Sequence, residues 1–566
     1  MNDYNKVSYK TVFSFLLFIM IGLALLQSVT TPFSFVEEGI YHLQPYDTKG
    51  FIKGGIYFGV YLASLLMVAL VLFTRNRLVA TLLVSFIALS YGMDLLVQFI
   101  GSNDKGISLG IFTLAMIEQS RAGDMMLFKT QIYQALAVVV VFILSVIILR
   151  SFILKKFRVN TWFSIVGFVG LTVVAWGSVM AIYSIIGQSY PAPIKAVAIA
   201  LEYYQEDQNQ EPRILAESIK PSGKSEYKTI VWIIDESIGG QYLSVNGFSE
   251  KTTPFLEKIS KDSPDYYNYG VVPSIANCSA SSNLLLRIGL TNAFEEGSVK
   301  ELKKTLPTIF QYAKRAGFET TLIDAQVAKG QLQNHLSVSD KFDIDNYVTF
   351  SRKYLPNTRD RQALTELESL LENKDEKHRF IVLVKWGAHW PYPLTYHEER
   401  FKPAAKQSYL AMVEKNRELI FNAYYNSLQY SVDDFLKELT SGRDFNQQII
   451  FYTSDHGQSL FQNDDPLTHC HEGQKAPPMD EFKVPLMVFS KGIGHKLKSL
   501  NIKSTAQEQL FPTTLNIMGY TGDVLAQYGP TLFEGEEPEA IKINVGATNR
   551  RVKYISEPVI PEATNQ

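Results

Sequence analysis

The chain has 566 residues, with 54 Lys and Arg against 56 Asp and Glu, for a formal net charge of -2. That length exceeds one ordinary domain and accommodates two or three, and the balanced charge, with no basic stripe, argues against a nucleic-acid partner. Two cysteines, Cys278 and Cys470, exclude a disulfide framework and allow one bridge at most.

An α-helix needs about 20 mostly apolar residues to cross a bilayer. Five stretches meet that requirement, roughly 11–31, 54–74, 78–100, 131–149 and 161–187. The first is too long for a removed signal peptide and has no convincing cleavage site, so it reads as a retained helix. Loop charges set the orientation. Lys6 and Lys10 precede the first span, Arg75 and Arg77 fill the turn between the second and third, and Arg150, Lys155, Lys156 and Arg158 follow the fourth. These segments carry one acid, Asp3, whereas the other two loops are mixed in sign. The basic segments are expected in the cytoplasm, which places the N-terminus inside and everything after about residue 190 outside. Asp94 lies within the third span with Gln98 one turn on. It reads as an interface or helix-pairing group, with contact to a lipid headgroup amine as the functional alternative.

Residues 191–228 read as a linker. Pro191 and Pro193 end the last span, Ile194–Tyr204 has helical periodicity suited to an interfacial or connecting helix, and a polar run follows. From Thr229 to about residue 550 an α/β pattern holds. Short apolar runs at 229–234, 319–323, 379–385, 448–453 and 484–489 alternate with helical patterns at 253–261, 306–316, 360–372, 413–440 and 505–518. That alternation predicts a central, mostly parallel sheet covered on both faces. Residues 551–566 read as a tail.

In such folds ligands bind beyond the carboxyl ends of the strands. Asp235 and Glu236 end the first run, Asp324 ends the second, His389 follows the third, and Asp455-His456-Gly457 follows the fourth. Carboxylates with an imidazole form an N/O donor set suited to zinc. Each residue alone has an ordinary reading, Glu236 as a helix cap for instance; their recurrence at successive strand ends carries the inference. Ser274 to Ser282 holds five hydroxyls or thiols in nine residues, Ser274, Cys278, Ser279, Ser281 and Ser282, ahead of the apolar Leu284-Leu-Leu run. A serine there is either a helix cap or a nucleophile at a helix N-terminus, where backbone N–H groups favour an anionic phosphoryl group.

Taken together these stretches resemble the phosphoethanolamine transferases of Gram-negative inner membranes, over nearly the whole chain. The run from Asp235-Glu-Ser through Asn246-Gly-Phe to Thr253-Pro-Phe-Leu is similar to the family's Gly-Glu-Ser/Thr segment. Asp455-His456-Gly457 is similar to its Ser-Asp-His-Gly, and Gly387-Ala-His389-Trp-Pro391 to its Gly-x-His-Gly-Pro. Asn422 to Asn426, with Asp433-Asp434-Phe435, resembles the helix that follows. The resemblance implies five transmembrane helices, then an alkaline-phosphatase-like (sulfatase-like) catalytic domain. It implies zinc on Glu236, Asp455, His456 and the nucleophile Ser279, with manganese also suited to so carboxylate-rich a site. His389 and His469 are implied as phosphoryl contacts or as holders of a second metal, and Lys329 as a substrate contact.

Three departures qualify that reading. No threonine, the usual family nucleophile, lies in 274–282; Ser279, with Ser282 three residues on, ranks first, Ser282 second and Cys278 third. The downstream histidine is doubled, and counting back from Ala476-Pro477 favours His469 and leaves His471 as a surface histidine. The two cysteines replace the family's several disulfides; if Ser279 and His469 share one metal, Cys278 and Cys470 are expected close enough to bridge or to crowd the site. The implied reaction moves phosphoethanolamine from phosphatidylethanolamine, through a covalent phospho-serine, to an envelope glycolipid or glycan, with the catalytic domain in the periplasm. The alternatives are a phosphoglycerol transferase resembling lipoteichoic-acid synthase, a membrane-anchored phosphatase or sulfatase, and a non-catalytic sensor.

Overall fold

The computed structural model describes residue 74, residues 76–100, parts of 133–170 and, with short gaps, 215–545 and 552–555. The chain divides into two compact units, Met1–Phe112 with Phe128–Asn209, and Thr113–Leu127 with Gln210–Gln566.

In the first unit helix α1 (Arg77–Ile100) coincides with the third expected span. The described positions of 133–151 and 162–170 are helical as well. Large apolar side chains point outward along these segments, among them Leu78, Leu82, Leu89, Leu136, Ile148 and Val166. Among the described residues no helix is long and apolar enough to cross a membrane. The first expected span, the second except Thr74, the side chain of Asp94 and the expected helix at 194–204 lie outside the described residues.

The second unit is built on a seven-stranded sheet. Its strands are β1 (Thr229–Asp235), β2 (Tyr266–Pro273), β3 (Phe318–Asp324), β4 (Asn346–Thr349), β5 (His378–Val384), β6 (Gln448–Ser454) and β7 (Lys483–Ser490), in the order β2-β7-β6-β1-β5-β3-β4. β6, β1, β5, β3 and β4 pair in parallel, while β7 runs antiparallel to both its neighbours, β6 and β2. The sheet is therefore mixed, with one reversed strand. β2 and β4 are absent from the sequence reading. β2 has Asn268, Gly270 and Pro273 in it, with a bulge between Asn268 and Gly270, and β4 is a four-residue edge strand.

Alternation along the central strands builds two cores. Ile230, Trp232 and Ile234 of β1, with Phe380 and Val382 of β5, pack on one face. Helices α3 (Ser279–Ile288), α4 (Ile309–Arg315) and α9 (Leu510–Ile517) cover that face. Val231 and Ile233, with Ile381 and Leu383, face the other way. There they meet α5 (Pro356–Glu372), α6 (Arg417–Leu428) and α7 (Phe435–Thr440). The remaining described α-helices of this unit are α2 (Pro254–Asp262), α8 (Ile493–Lys498) and the short α10 (Asp523–Ala526). A π-helical turn, Gln429–Asp434, joins α6 to α7.

Candidate active site

β1 lies between β5 and β6, so the loops leaving these three strands meet at one end of the sheet. Asp455 N donates to Asp235 O at 2.9 Å, and Ala388 N to Glu236 O at 3.0 Å, which locks the loops together. Gly387 makes the approach possible. It has φ 59°, and a Cβ there would stand 2.1 Å from Asp235 Oδ1, so only glycine fits. Ser237, directly after Glu236, also has positive φ, at 61°. Its N–H donates to Asp455 Oδ1 at 3.1 Å and its carbonyl accepts from Tyr424 Oη at 2.9 Å. The surroundings thus hold a backbone conformation that is costly for a non-glycine residue.

Glu236, Asp455 and His456 form a fully buried group whose donor atoms all lie within 4.8 Å of one another. Ser279 joins them from the first turn of α3. Its Oγ donates to Glu236 Oε1 at 3.0 Å and lies 3.1 Å from His456 Nε2. Of the competing nucleophiles, Ser282 donates its hydroxyl to the carbonyl of Asp455, and Cys278 is bonded to Cys470 in a disulfide. Of these three candidates, Ser279 alone directs its side-chain oxygen at both the Glu236 carboxylate and the His456 imidazole.

The donor set suits a divalent metal on three observations. Asp455 Oδ2 is buried with no hydrogen-bond partner, a cost that coordination removes. His456 Nδ1 lies 2.7 Å from Gly457 O, the backbone contact that leaves Nε2 free to ligate. Two carboxylates, an imidazole and a hydroxyl also match the ligand chemistry of zinc or manganese. The electrostatics agree. Burial, reinforced by the Glu236 charge, pushes the Asp455 carboxyl up to about 8. Burial lowers His456, but the Asp455 and Glu236 charges outweigh it and raise the imidazole to about 9. Burial works upward on Glu236 too, yet the hydrogen bond and charge of His456 hold it well below the usual carboxylate range.

The remaining expected residues are placed unevenly. His389 is buried, with Nδ1 2.5 Å from Trp390 O. The His469 ring stacks on that of His456, with centroids 4.3 Å apart and planes 16° apart. His471, expected at the surface, is buried and paired with Glu481; the Glu481 carboxylate draws it inward. Asp324 stays outside the metal group. It accepts from Gln326 N at 2.9 Å, and burial lifts its carboxyl to about 6. Lys329 lies outside the described residues.

Sequence reasoning missed several supports. Gln326 Nε2 donates to Glu236 Oε2 at 2.9 Å, and nothing in its neighbourhood signals that role. Lys385 pairs with Asp235 at 2.5 Å, both side chains fully buried, and the Tyr452 hydroxyl donates to the same carboxylate. A lone lysine at the end of the apolar run Phe380–Val384 was the available signal. Asp360 accepts from Trp386 N and Gly387 N at 2.7 and 2.9 Å and so sets the His389 loop.

The sulfatase family model matches residues 228–520, just over half of the chain. The chain belongs to the sulfatase family. That match starts one residue before β1 and takes in every residue of the metal group. Among curated proteins the chain is similar to the Salmonella typhimurium Kdo(2)-lipid A phosphoethanolamine 7''-transferase, 24% identical over 310 residues, 52% of each chain. It is also similar to the Escherichia coli phosphatidylethanolamine transferase Mcr-2, 24% identical over 320 residues, 54% of this chain and 56% of that one. The chain spans about half the length of the curated relatives it matches. Among solved structures, the integral membrane protein lipooligosaccharide phosphoethanolamine transferase A from Neisseria meningitidis shares the fold. Its TM-score is 0.57 at 17% identity, over 88% of this chain and 95% of that one.

Proposed function

We propose that this sulfatase-family member is a metal-dependent phosphoethanolamine transferase of the bacterial inner membrane, taking its group from phosphatidylethanolamine and passing it to an envelope glycolipid or glycan. The observation that carries the reading is the Ser279 hydroxyl, 3.0 Å from Glu236 and 3.1 Å from His456, beside the unpartnered Asp455 oxygen. The names of the curated relatives supply the transferred group, the donor and the lipid A class of acceptor. The outward aliphatic faces of the helices before residue 170 support membrane anchoring, with the N-terminus in the cytoplasm and the catalytic unit in the periplasm by the loop charges.

Glu236, Asp455 and His456 hold the metal, zinc by preference and manganese by donor type. When bound it supplies the Lewis-acid charge that favours ionised serine and offsets the phosphoryl oxygens. Ser279 gives up its hydroxyl proton, its Oγ attacks phosphorus in line, the P–O bond to diacylglycerol breaks, and the diacylglycerol oxygen takes up a proton, so the proton lost by the serine balances the one gained by the leaving group. The phosphoethanolamine is then carried on Ser279 at the N-terminus of α3, where the helix dipole favours its negative charge. His389 and His469 bind the equatorial oxygens or protonate the leaving oxygen. An acceptor hydroxyl or phosphate attacks next, its proton leaves and Ser279 is restored.

Diacylglycerol release from a fluorescent phosphatidylethanolamine by the purified full-length chain tests this. Ser279→Ala is expected to lower release by roughly 10³-fold or more while zinc remains bound. Wild-type rates in Ser279→Ala would sink the proposal, and transfer of phosphoglycerol in preference would favour the lipoteichoic-acid-synthase reading.

A further inference from the structure

If transfer runs through Ser279 as proposed, the placing of His469 beside it matters. Two short segments, far apart in sequence, flank the candidate nucleophile. Cys278 directly precedes Ser279, Cys470 directly follows His469, and a disulfide joins them across a sequence separation of 192 residues. Beside that bond Cys470 N donates to Asn277 O at 2.9 Å, and Asn277 Nδ2 donates to His471 O at 3.0 Å. Cys470 has φ 65°, a left-handed conformation that a non-glycine residue keeps only when its surroundings impose it.

Glu481 completes the arrangement. Its side chain is fully buried. One carboxylate oxygen accepts from Asn277 Nδ2 at 2.7 Å and from His471 N at 3.2 Å, and the other pairs with His471 Nδ1. Its backbone carbonyl accepts from Gly457 N at 2.7 Å. One residue thus touches the segment before Ser279, the segment after His469 and the loop that carries Asp455 and His456. The second of these adjoins His469 and the third carries His456, and the two rings stack with centroids 4.3 Å apart.

We propose that the Cys278–Cys470 disulfide and Glu481 form a clamp that positions His469 over the metal group, so that its imidazole meets the phosphoryl group on Ser279. Glu481 is a positioning residue: it works through Asn277 and His471 and touches no reacting atom. The disulfide fixes the distance between the chain at Ser279 and the chain at His469, and the carboxylate fixes the twist of the second segment relative to the first. Displacement by about an ångström at a group that contacts the transition state is enough to cost roughly 100-fold in rate.

A double-mutant cycle on the full-length enzyme separates positioning from general stabilisation. The clamp is opened either by Cys278→Ser with Cys470→Ser or by Glu481→Gln, each in the wild-type and the His469→Ala background. Diacylglycerol release is measured with zinc content and the thermal midpoint. Opening the clamp is expected to lower kcat by about 100-fold with KM within about twofold, zinc retained, and to cost almost nothing further once His469 is alanine. The same factor lost in both backgrounds overturns the proposal, as does an unchanged kcat in Glu481→Gln, the variant that keeps the disulfide if the double serine variant fails to fold. Full activity in Ser279→Ala would instead defeat the reading on which the clamp rests.

Discussion

Asp455 shows how much a single residue carries in this site. One oxygen accepts from Ser237 N and His456 N, while the other is buried without a partner. Asparagine at 455 keeps the volume but removes the charge needed to hold a cation. Asp455→Asn is expected to weaken zinc binding by roughly 100-fold or more, read by competition with a chromophoric chelator, and zinc bound as tightly as in wild type would count against the assignment. Glu236, Asp455 and His456 were legible in the sequence because each stands where an apolar run stops, and a parallel sheet collects such ends. Ser279 was legible only as one of several hydroxyls and thiols. What singles it out is the use of the others, Ser282 in a backbone hydrogen bond and Cys278 in a disulfide. Gln326 and Glu481 were not legible: their partners Glu236 and Asn277 lie 90 and 204 residues away, and no local pattern encodes such pairings.

Among the elements, the π-helical turn Gln429–Asp434 serves two distant parts of the fold. Ser431 O accepts from Lys385 Nζ at 2.5 Å, next to the Asp235 pair under the metal group. Asp433 accepts from Phe255 N and Leu256 N, both at 3.0 Å. It caps α2 from another helix because the hydroxyl of the α2 N-cap residue, Thr253, is engaged by Val245 N. Asp433→Ala is expected to cost about 1–2 kcal/mol. Burial raises the Asp433 carboxyl from 3.8 to about 6. Its extra stabilisation is therefore full below the lower value and is lost as pH rises through the upper one. Denaturant unfolding of variant and wild type at pH 5 and pH 8 should show the larger gap at pH 5, and a gap that widens toward pH 8 would refute this account. The continuous apolar run revealed β1, β5 and β6, because both faces of these central strands are buried in the two cores. It missed β2 and β4, whose pairing is decided by neighbours in the sheet more than by their own composition.

The whole molecule couples an α/β unit to a preceding unit whose described helices turn aliphatic side chains outward. The combination suits the proposed chemistry on lipids: the proposed donor and a proposed acceptor of the lipid A class are membrane lipids, and a site at strand ends can be assembled by loops while the sheet beneath stays rigid. Five spans with the N-terminus inside remain the arrangement that the loop charges propose. The central claim is that one serine, set in a metal-binding group, carries the transferred phosphoethanolamine. Peptide mass spectrometry of the zinc-loaded full-length chain, quenched during turnover of phosphatidylethanolamine without acceptor, addresses it most directly. The account predicts one phosphoethanolamine on Ser279, lost on addition of acceptor and absent from Ser279→Ala; an adduct on Ser282, or turnover with no adduct on any residue, would contradict it.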